Sequence, residues 1–545
     1  MRARRGATLL AVLALVASCT DQQPTAAPSG PVAPTTTSSA PSATTSPTDL
    51  PAPSATAAAI PAEFPLAVVT GLQNVKANVT LDEITTLERT GRLVVPCGVD
   101  VKQPTIEPTG VCVGADQIAA ELDADQQLLA LLPTGLVEPA TKVLPIAGDG
   151  PFGLFGADLF GDPDARALPY PVVGSATPDS ADSLQPAWTA YDPAQVWTMT
   201  ALGSTCADRG AARQAVTLKK GWDWVFDGGT AKYNGKPIPN PNPPPGIDRH
   251  PIVRPVETGN DGTTAMLIRR ADVTLGNQKC PVMPSKGWKP SNQAQGLSVP
   301  EDVVKRWEDF LGMDVMYLPA DHQSDRGVPG IRSTLQILDK HGIPGTGLGM
   351  DLDEALEPAY IEVAGQKVAF VAWNDVPGPT HAAANTPGVA WFTKANVNES
   401  VRRARAANAD LVVCDPQWWG GGSEYRAYLR PSQVREVGWM DGAGCDQILG
   451  GGLHVSGGLF LRSRTDGVSM VNAGPGNFQY GQDFWQETQE GVVIESTFRG
   501  ATLVNVRLHP YVMILAARAA LLNPEGDGHY VLERIWKNSE VDYLP

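Results

Sequence analysis

Hydrophobic positions along this chain fall into two recurring patterns. Short β-branched runs at residues 196–202, 271–275, 314–318, 367–373, 410–414 and 445–449 each end at Gly, Pro or a polar cluster and predict strands. Between them, apolar residues return every three or four positions at 300–311, 330–340 and 396–407, which predicts helices. Such strand–helix alternation implies a largely parallel sheet covered by helices, with ligands expected at the carboxyl ends of the strands. A separate pattern precedes it: a strand-like run at 66–70, then Thr80 and Glu83 at capping-box spacing ahead of a helix, a second helix at 115–122, and apolar runs at 131–137 and 143–146. The pattern divides the body into a small α/β domain at 62–180 and a larger domain at 190–545. The Pro/Asn-rich stretch 236–251 reads as a semi-rigid surface excursion.

The amino-terminal residues do not fit either pattern. Arg2, Arg4 and Arg5 precede the apolar run Ala7 to Val16, and Val16-Ala17-Ser18-Cys19 follows, the order of a secretory signal over 1–18. The run is too short to cross a bilayer as a helix. Val-Ala-Ser-Cys resembles a bacterial lipobox, which implies cleavage before Cys19, lipidation of its thiol, and a chain held by lipid on the extracytoplasmic face of the cell membrane. Residues 19–61, dominated by Pro, Ser, Thr and Ala, cannot bury enough apolar surface to order themselves and are expected to be a disordered tether.

Charge narrows the partners. The 545 residues carry 42 Lys plus Arg against 58 Asp plus Glu, a net charge of −16 that becomes −19 once the signal's three arginines are removed. A broad phosphate-neutralising surface is excluded, so no nucleic-acid partner is expected.

After Cys19 six cysteines remain, and export allows bridges among them. Cys97 and Cys112 flank a Gly/Pro-containing loop and suit a local disulfide. Cys206 and Cys280 each lie just past a predicted strand end, so parallel neighbours would bring them side by side. Cys414 ends one predicted strand while Cys445 begins the next, a separation of about 16 Å in parallel register. Two bridges and two buried free thiols are therefore expected.

Candidate chemistry gathers at the predicted strand ends. Residues 320–327 read Ala-Asp-His-Gln-Ser-Asp-Arg-Gly, 198–210 end in a Cys-Ala-Asp-Arg-Gly turn, and 271–279 end in Gly-Asn-Gln-Lys. Further on come Gln417-Trp418-Trp419-Gly420, Gly450-Gly451-Gly452-Leu453-His454 and Gly476-Asn477-Phe478. Taken together and in this order, these segments resemble the motifs of the CapA family of capsule (poly-γ-glutamate) synthesis proteins. The resemblance implies a calcineurin-like metallophosphatase architecture, a four-layer α/β/β/α sandwich, here with a smaller N-terminal α/β domain. That smaller domain resembles one lobe of a periplasmic phosphate-binding-type protein.

The departures from the family pattern bear on function. Ser204, Lys279, Gln417 and Gly452 stand where the resembled family has metal ligands, and Asp321 with Ala320 beside it stands in its Asn-Asn pair. The metal candidates left are Asn277, Asp321, His322 and His454. Asp321 and His322 are candidate catalytic groups, with Asp325 as an orienting carboxylate. A lysine ammonium in a ligand position repels any cation nearby, so a two-metal centre is not expected and one divalent ion, Mn or Zn, is the most the set could hold. Gln417, Trp418, Glu424, Tyr425, Asn477, Lys279 and Arg326 are candidate cleft residues, Lys279 and Arg326 as a local basic cluster.

Each also has a structural reading: His322 as a hydrogen-bonded strand-end residue, His454 as a satisfied polar group, Asp325 as a helix cap, Trp418 and Trp419 as packing. No phosphate loop, His-Glu-x-x-His or Gly-x-Ser-x-Gly motif is present. The expected function is that of a surface-anchored lipoprotein handling an anionic envelope polymer, or serving its synthesis machinery, through a degenerate metal site. Alternatives are a single-metal hydrolase or amide-ligase-type enzyme, and a solute-binding lipoprotein.

Overall fold

The computed structural model describes residues 63–104, 112–147, 171–177, 193–236, 252–259, 262–291, 296–419, 421, 425–464 and 467–539. The expected signal and tether, Cys19, the 237–251 part of the excursion and Glu424 lie outside the described residues.

The strand Val196–Cys206 is buried along its whole length, without the alternation of a half-exposed strand. Burial on both faces demands apolar or internally paired residues throughout, and its neighbours explain it. It pairs in parallel with Val273–Gln278 on one side and antiparallel with Glu490–Arg499 on the other. The sheet continues outward through Val315–Tyr317 and Gly345–Thr346 at one edge. At the other edge it continues through Thr502–Ile514, Arg518–Leu522, Gly229–Tyr233 and Pro255–Gly259. A second sheet runs Ala359–Val363, Gln366–Asn374, Leu411–Gln417, Gln447–Leu449, Gly467–Asn472, Leu459–Arg464.

Three apolar clusters turn these sheets into layers. One joins Trp197, Met199, Val273, Leu275 and Ile494 of the first sheet to Val368, Phe370, Leu411 and Val413 of the second, so the sheets pack face to face. On the outer face of the first sheet, Met316, Leu318 and Val493 pack with Val303, Trp307, Ile331 and Leu338 of the helical segments. On the outer face of the second, Val371, Val412 and Ile448 pack with Val397 and Val401 of helix Lys394–Ala406 and Val437 and Met440 of helix Pro431–Ala443. The order is helices, sheet, sheet, helices: the four-layer α/β/β/α sandwich. The parallel half matches the expected strand–helix alternation. The antiparallel strands from Glu490 to Leu522 were not anticipated, because long apolar runs joined by tight turns lack the helical spacers that mark βαβ units.

The N-terminal segment forms its own mixed sheet around Phe64–Gly71, in the order Leu93–Val94, Leu129–Pro133, Phe64–Gly71, Val173–Ala176, Val99–Gln103. Thr80 caps helix Leu81–Arg89 by accepting the Glu83 amide at 3.1 Å. The Glu83 carboxylate turns to Lys76 Nζ at 2.7 Å. This sheet shares a core with the body: Ala67, Val69, Ile118 and Leu122 pack with Val196 and Val504. The Val143 amide donates to Asn505 Oδ1 at 3.0 Å.

Three disulfides are present, Cys97–Cys112, Cys206–Cys280 and Cys414–Cys445. The third corrects the expectation of two free thiols. Cys414 lies mid-strand, level with Ile448 rather than with Cys445. Cys445 belongs to the turn that ends helix Pro431–Ala443, where Gly444 takes φ 106° and the Cys445 amide closes on Met440 O. That turn lifts Cys445 off the strand line onto the outer face, where both cysteines share one apolar cluster and their Cα atoms stand 6.0 Å apart.

Candidate functional site

Polar side chains collect where strands of the two sheets end together. Ser204 lies in register with Asn277 on one side and Asn477 on the other. Opposite them, Gln417 ends its strand beside Gly451. A Cβ on Gly451 would come within 2.4 Å of Asn277 Nδ2 and 2.1 Å of Gln417 Nε2, so glycine here lets the two sheets close.

Three polar groupings fill this crest. In the first, Lys279, fully buried, places Nζ 2.7 Å from Asp321 Oδ1. Its backbone extends the sheet by donating to Thr205 O at 2.8 Å, which fixes where the ammonium emerges. Asp321 opens the tight turn Asp321–Ser324, and His322 follows with Nε2 3.4 Å from Asp321 Oδ2 and Nδ1 2.9 Å from Asp325 Oδ2. Burial by itself raises the Asp321 carboxyl, but the Lys279 ammonium, His322 and His454 reverse this and hold it well below the usual carboxylate range. Asp325 is not a helix cap: helix Gly327–Lys340 starts two residues later, and the carboxylate accepts from the Leu297 amide at 2.8 Å while it orients His322.

In the second, Asn277 Nδ2 donates across the sheets to Asp415 Oδ2 at 3.0 Å, and Gln417 Nε2 approaches the same carboxyl at 3.4 Å. Burial pushes Asp415 well above the usual carboxylate range, only partly opposed by Gln417, Lys279 and Asn277. Sequence reasoning missed Asp415 because it lies inside an apolar strand, two residues before the motif residue Gln417. A lone carboxylate amid Val-Val-Cys was the available signal. Asn277 Oδ1 and Gln417 Oε1 are buried with no hydrogen-bond partner among the described residues.

In the third, His454 Nδ1 pairs with Asn477 Oδ1 at 2.7 Å. The imidazole is stacked between Tyr480, with ring centres 4.9 Å apart, and Tyr425 at 5.4 Å. Tyr425 in turn meets Phe484 and Trp485 edge-on, and its hydroxyl accepts from Gln482 at 3.2 Å.

The candidate ligands Asn277, Asp321, His322 and His454 are thus brought to one crest, but each is committed to a protein partner. Among the described residues no three His, Cys, Asp or Glu converge as a metal-binding group. Two cleft candidates are placed elsewhere in function. Trp418 is fully buried in the outer cluster with Trp373, Val437 and Leu453, so its ring packs the helical layer. Lys279 turns its charge inward to Asp321, which leaves exposed Arg326, with Nε on Ser298 Oγ at 3.1 Å, as the basic group that faces solvent.

Layers and crest together define a four-layer α/β/β/α protein whose strand-end residues are paired with one another. Residues 254–478 match the family model of the bacterial capsule synthesis protein PGA_cap, and over that segment the chain is similar to the CapA proteins. Similar curated proteins are the PGA biosynthesis protein CapA of Bacillus subtilis (strain 168) and the capsule biosynthesis protein CapA of Bacillus anthracis. The first is 28% identical over 231 residues, 42% of this chain and 58% of the relative. The second is 25% identical over 248 residues, 44% of this chain and 58% of the relative. The chain therefore spans little more than half the length of these relatives.

Among solved structures, the likenesses include a 5'-nucleotidase precursor from Thermus thermophilus (14% identical, 62% of this chain and 57% of that one, TM-score 0.31). Another is the NAD nucleotidase of Haemophilus influenzae (10% identical, 64% and 58%, TM-score 0.32). The fold is defined by the layers themselves; these distant overlaps carry no inference about activity.

Proposed function

We propose that this chain acts in the synthesis or handling of a capsule or cell-envelope polymer as a lipid-anchored binding or scaffolding component, with a metallophosphatase-like site that no longer holds two metals. The observation that carries the reading is the buried Lys279–Asp321 ion pair. A dinuclear centre needs carboxylate, amide and imidazole ligands around two dications about 3.5–4 Å apart. Here an ammonium lies at 2.7 Å from the one candidate carboxylate ligand, and the Asn277–Asp415 hydrogen bond spans the two sheets directly. The residues present do not fit a two-metal group. The CapA relatives support the capsule context, and the Val-Ala-Ser-Cys sequence before the tether supports the anchor.

Metal content tests it. After loading of the purified chain with Mn²⁺ or Zn²⁺ and removal of free ion, less than about a tenth of an equivalent is expected to stay bound. Near-stoichiometric metal that disappears in His322→Ala would overturn the reading in favour of a single-metal enzyme.

A further inference from the structure

A cavity of about 390 Å³ lies between the N-terminal sheet and the body, and it shares no lining residue with the strand-end crest. Its size is that of a small-molecule site. Part of its lining is basic: Lys142, Arg270, Arg507 and His509. Arg507 and His509 lie two apart on the strand Thr502–Ile514 and so share a face. Lys142 reaches them from the N-terminal strand Thr141–Val143.

The charges there do not balance. Buried Glu495 accepts from Arg507 Nη2 at 3.0 Å, from Arg270 Nη2 at 3.2 Å and from His509 Nε2 at 2.5 Å. One carboxylate thus serves two guanidiniums and an imidazole. Lys142, buried as well, adds a third basic group, and its Nζ bonds the Asn74 carbonyl. Of the nearby acids, Glu83 pairs with Lys76, and Glu525, which accepts the Ala77 amide at 3.0 Å, is the one counter-charge that acts on Lys142. In a chain of net charge −16 this is a concentrated positive focus, and it attracts anions.

Leu144, Leu521, Leu522 and Leu532 add apolar wall to the same cavity. A desolvated surplus cation favours a charge-assisted bond to an anion, and the leucine walls favour a hydrocarbon body over bare phosphate. We propose that this cavity binds a small organic monocarboxylate with an apolar body, held by Lys142 and Arg507. Because its walls come from both segments, such a ligand rivets the N-terminal sheet to the body. The proposal uses none of the crest residues and stands apart from the reading of that site.

Calorimetric titration of the full chain with hexanoate, 1-hexanol and inorganic phosphate tests it. Hexanoate is expected to bind saturably at one site, with hexanol and phosphate each at least about tenfold weaker. Lys142→Met is expected to weaken hexanoate at least about tenfold. Thr258→Trp, at an exposed lining position away from the Glu495 cluster, is expected to abolish binding by filling the cavity while leaving the melting temperature unchanged; it decides the matter even where Lys142→Met does not fold. The proposal is overturned by the absence of saturable hexanoate heat, by equal affinity in wild type and Thr258→Trp, or by phosphate or hexanol binding as tightly as hexanoate.

Discussion

The crest at the strand ends and the cavity beside the N-terminal sheet both bury cations next to carboxylates, yet they do opposite things with them. At the crest each charge is met by groups of the crest itself: Asp321 by Lys279 and His322, His322 also by Asp325, Asp415 by Asn277 and Gln417, His454 by Asn477. In the cavity a single carboxylate, Glu495, is shared by Arg270, Arg507 and His509, and Lys142 stands in addition. A cluster that neutralises itself serves the fold, whereas one that leaves a surplus buried charge next to open volume is built to receive a counter-charge. The crest inherits its position from the fold, but it is the cavity that retains the electrostatics of a binding site.

The largest expected effect that would break this contrast is at the crest. Lys279→Met strands the buried Asp321 carboxylate and is expected to cost about 3–5 kcal/mol in urea unfolding. Adding Asp321→Leu should recover most of that loss, since both charges then leave together. A double variant as unstable as the two single losses added would show that Lys279 and Asp321 do not act as a closed pair.

The cavity is expected to give a smaller effect with a distinctive pH dependence. Burial, then Arg507 and Lys76 against the opposing Glu525, pushes the Lys142 ammonium down to about 7. Its unfolded value is near 10.4, so between these limits the unfolded chain binds the extra proton and stability rises with pH. The rise is on the order of 3 kcal/mol from pH 7 to above 10, and unfolding curves of Lys142→Met across that range should lack it. A wild-type profile parallel to that of the variant would remove Lys142 as the surplus cation.

The smallest effect sharpens the comparison at the solvent edge of the crest. Arg326 is exposed and makes one bond to Ser298, so Arg326→Ala should change stability by less than about 1 kcal/mol. Any larger loss in thermal unfolding would mean that Arg326 belongs to the internal pairing instead of facing outward.

Much of the crest was legible before the fold. Asn277, Asp321, His322, Gln417, His454 and Asn477 stand out because their segments resemble the CapA motifs, in the same order, at the ends of predicted parallel strands. What each does there was not legible. Trp418 beside Gln417 turned to the helical layer, since successive residues on a strand point to opposite faces. Asp415 shares Gln417's face, and its one sequence signal, a carboxylate inside an apolar strand, lies outside the motif residues. Cys445 was read as the start of a strand, whereas the left-handed turn at Gly444 made it part of a helix cap and brought it to Cys414.

By itself, the sequence determined the strands and helices of the parallel half of the first sheet and of the second sheet's core, and two of the three disulfides, because periodicity and local turns act over a few residues. Only the tertiary structure decided which charges meet. Lys279 faces Asp321 from a separate strand end, Asn277 faces Asp415 across 138 positions of chain, and Lys142 joins Arg507 from a different sheet. Pairing of buried charges depends on sheet register and on how layers close in space, and separation along the chain encodes neither.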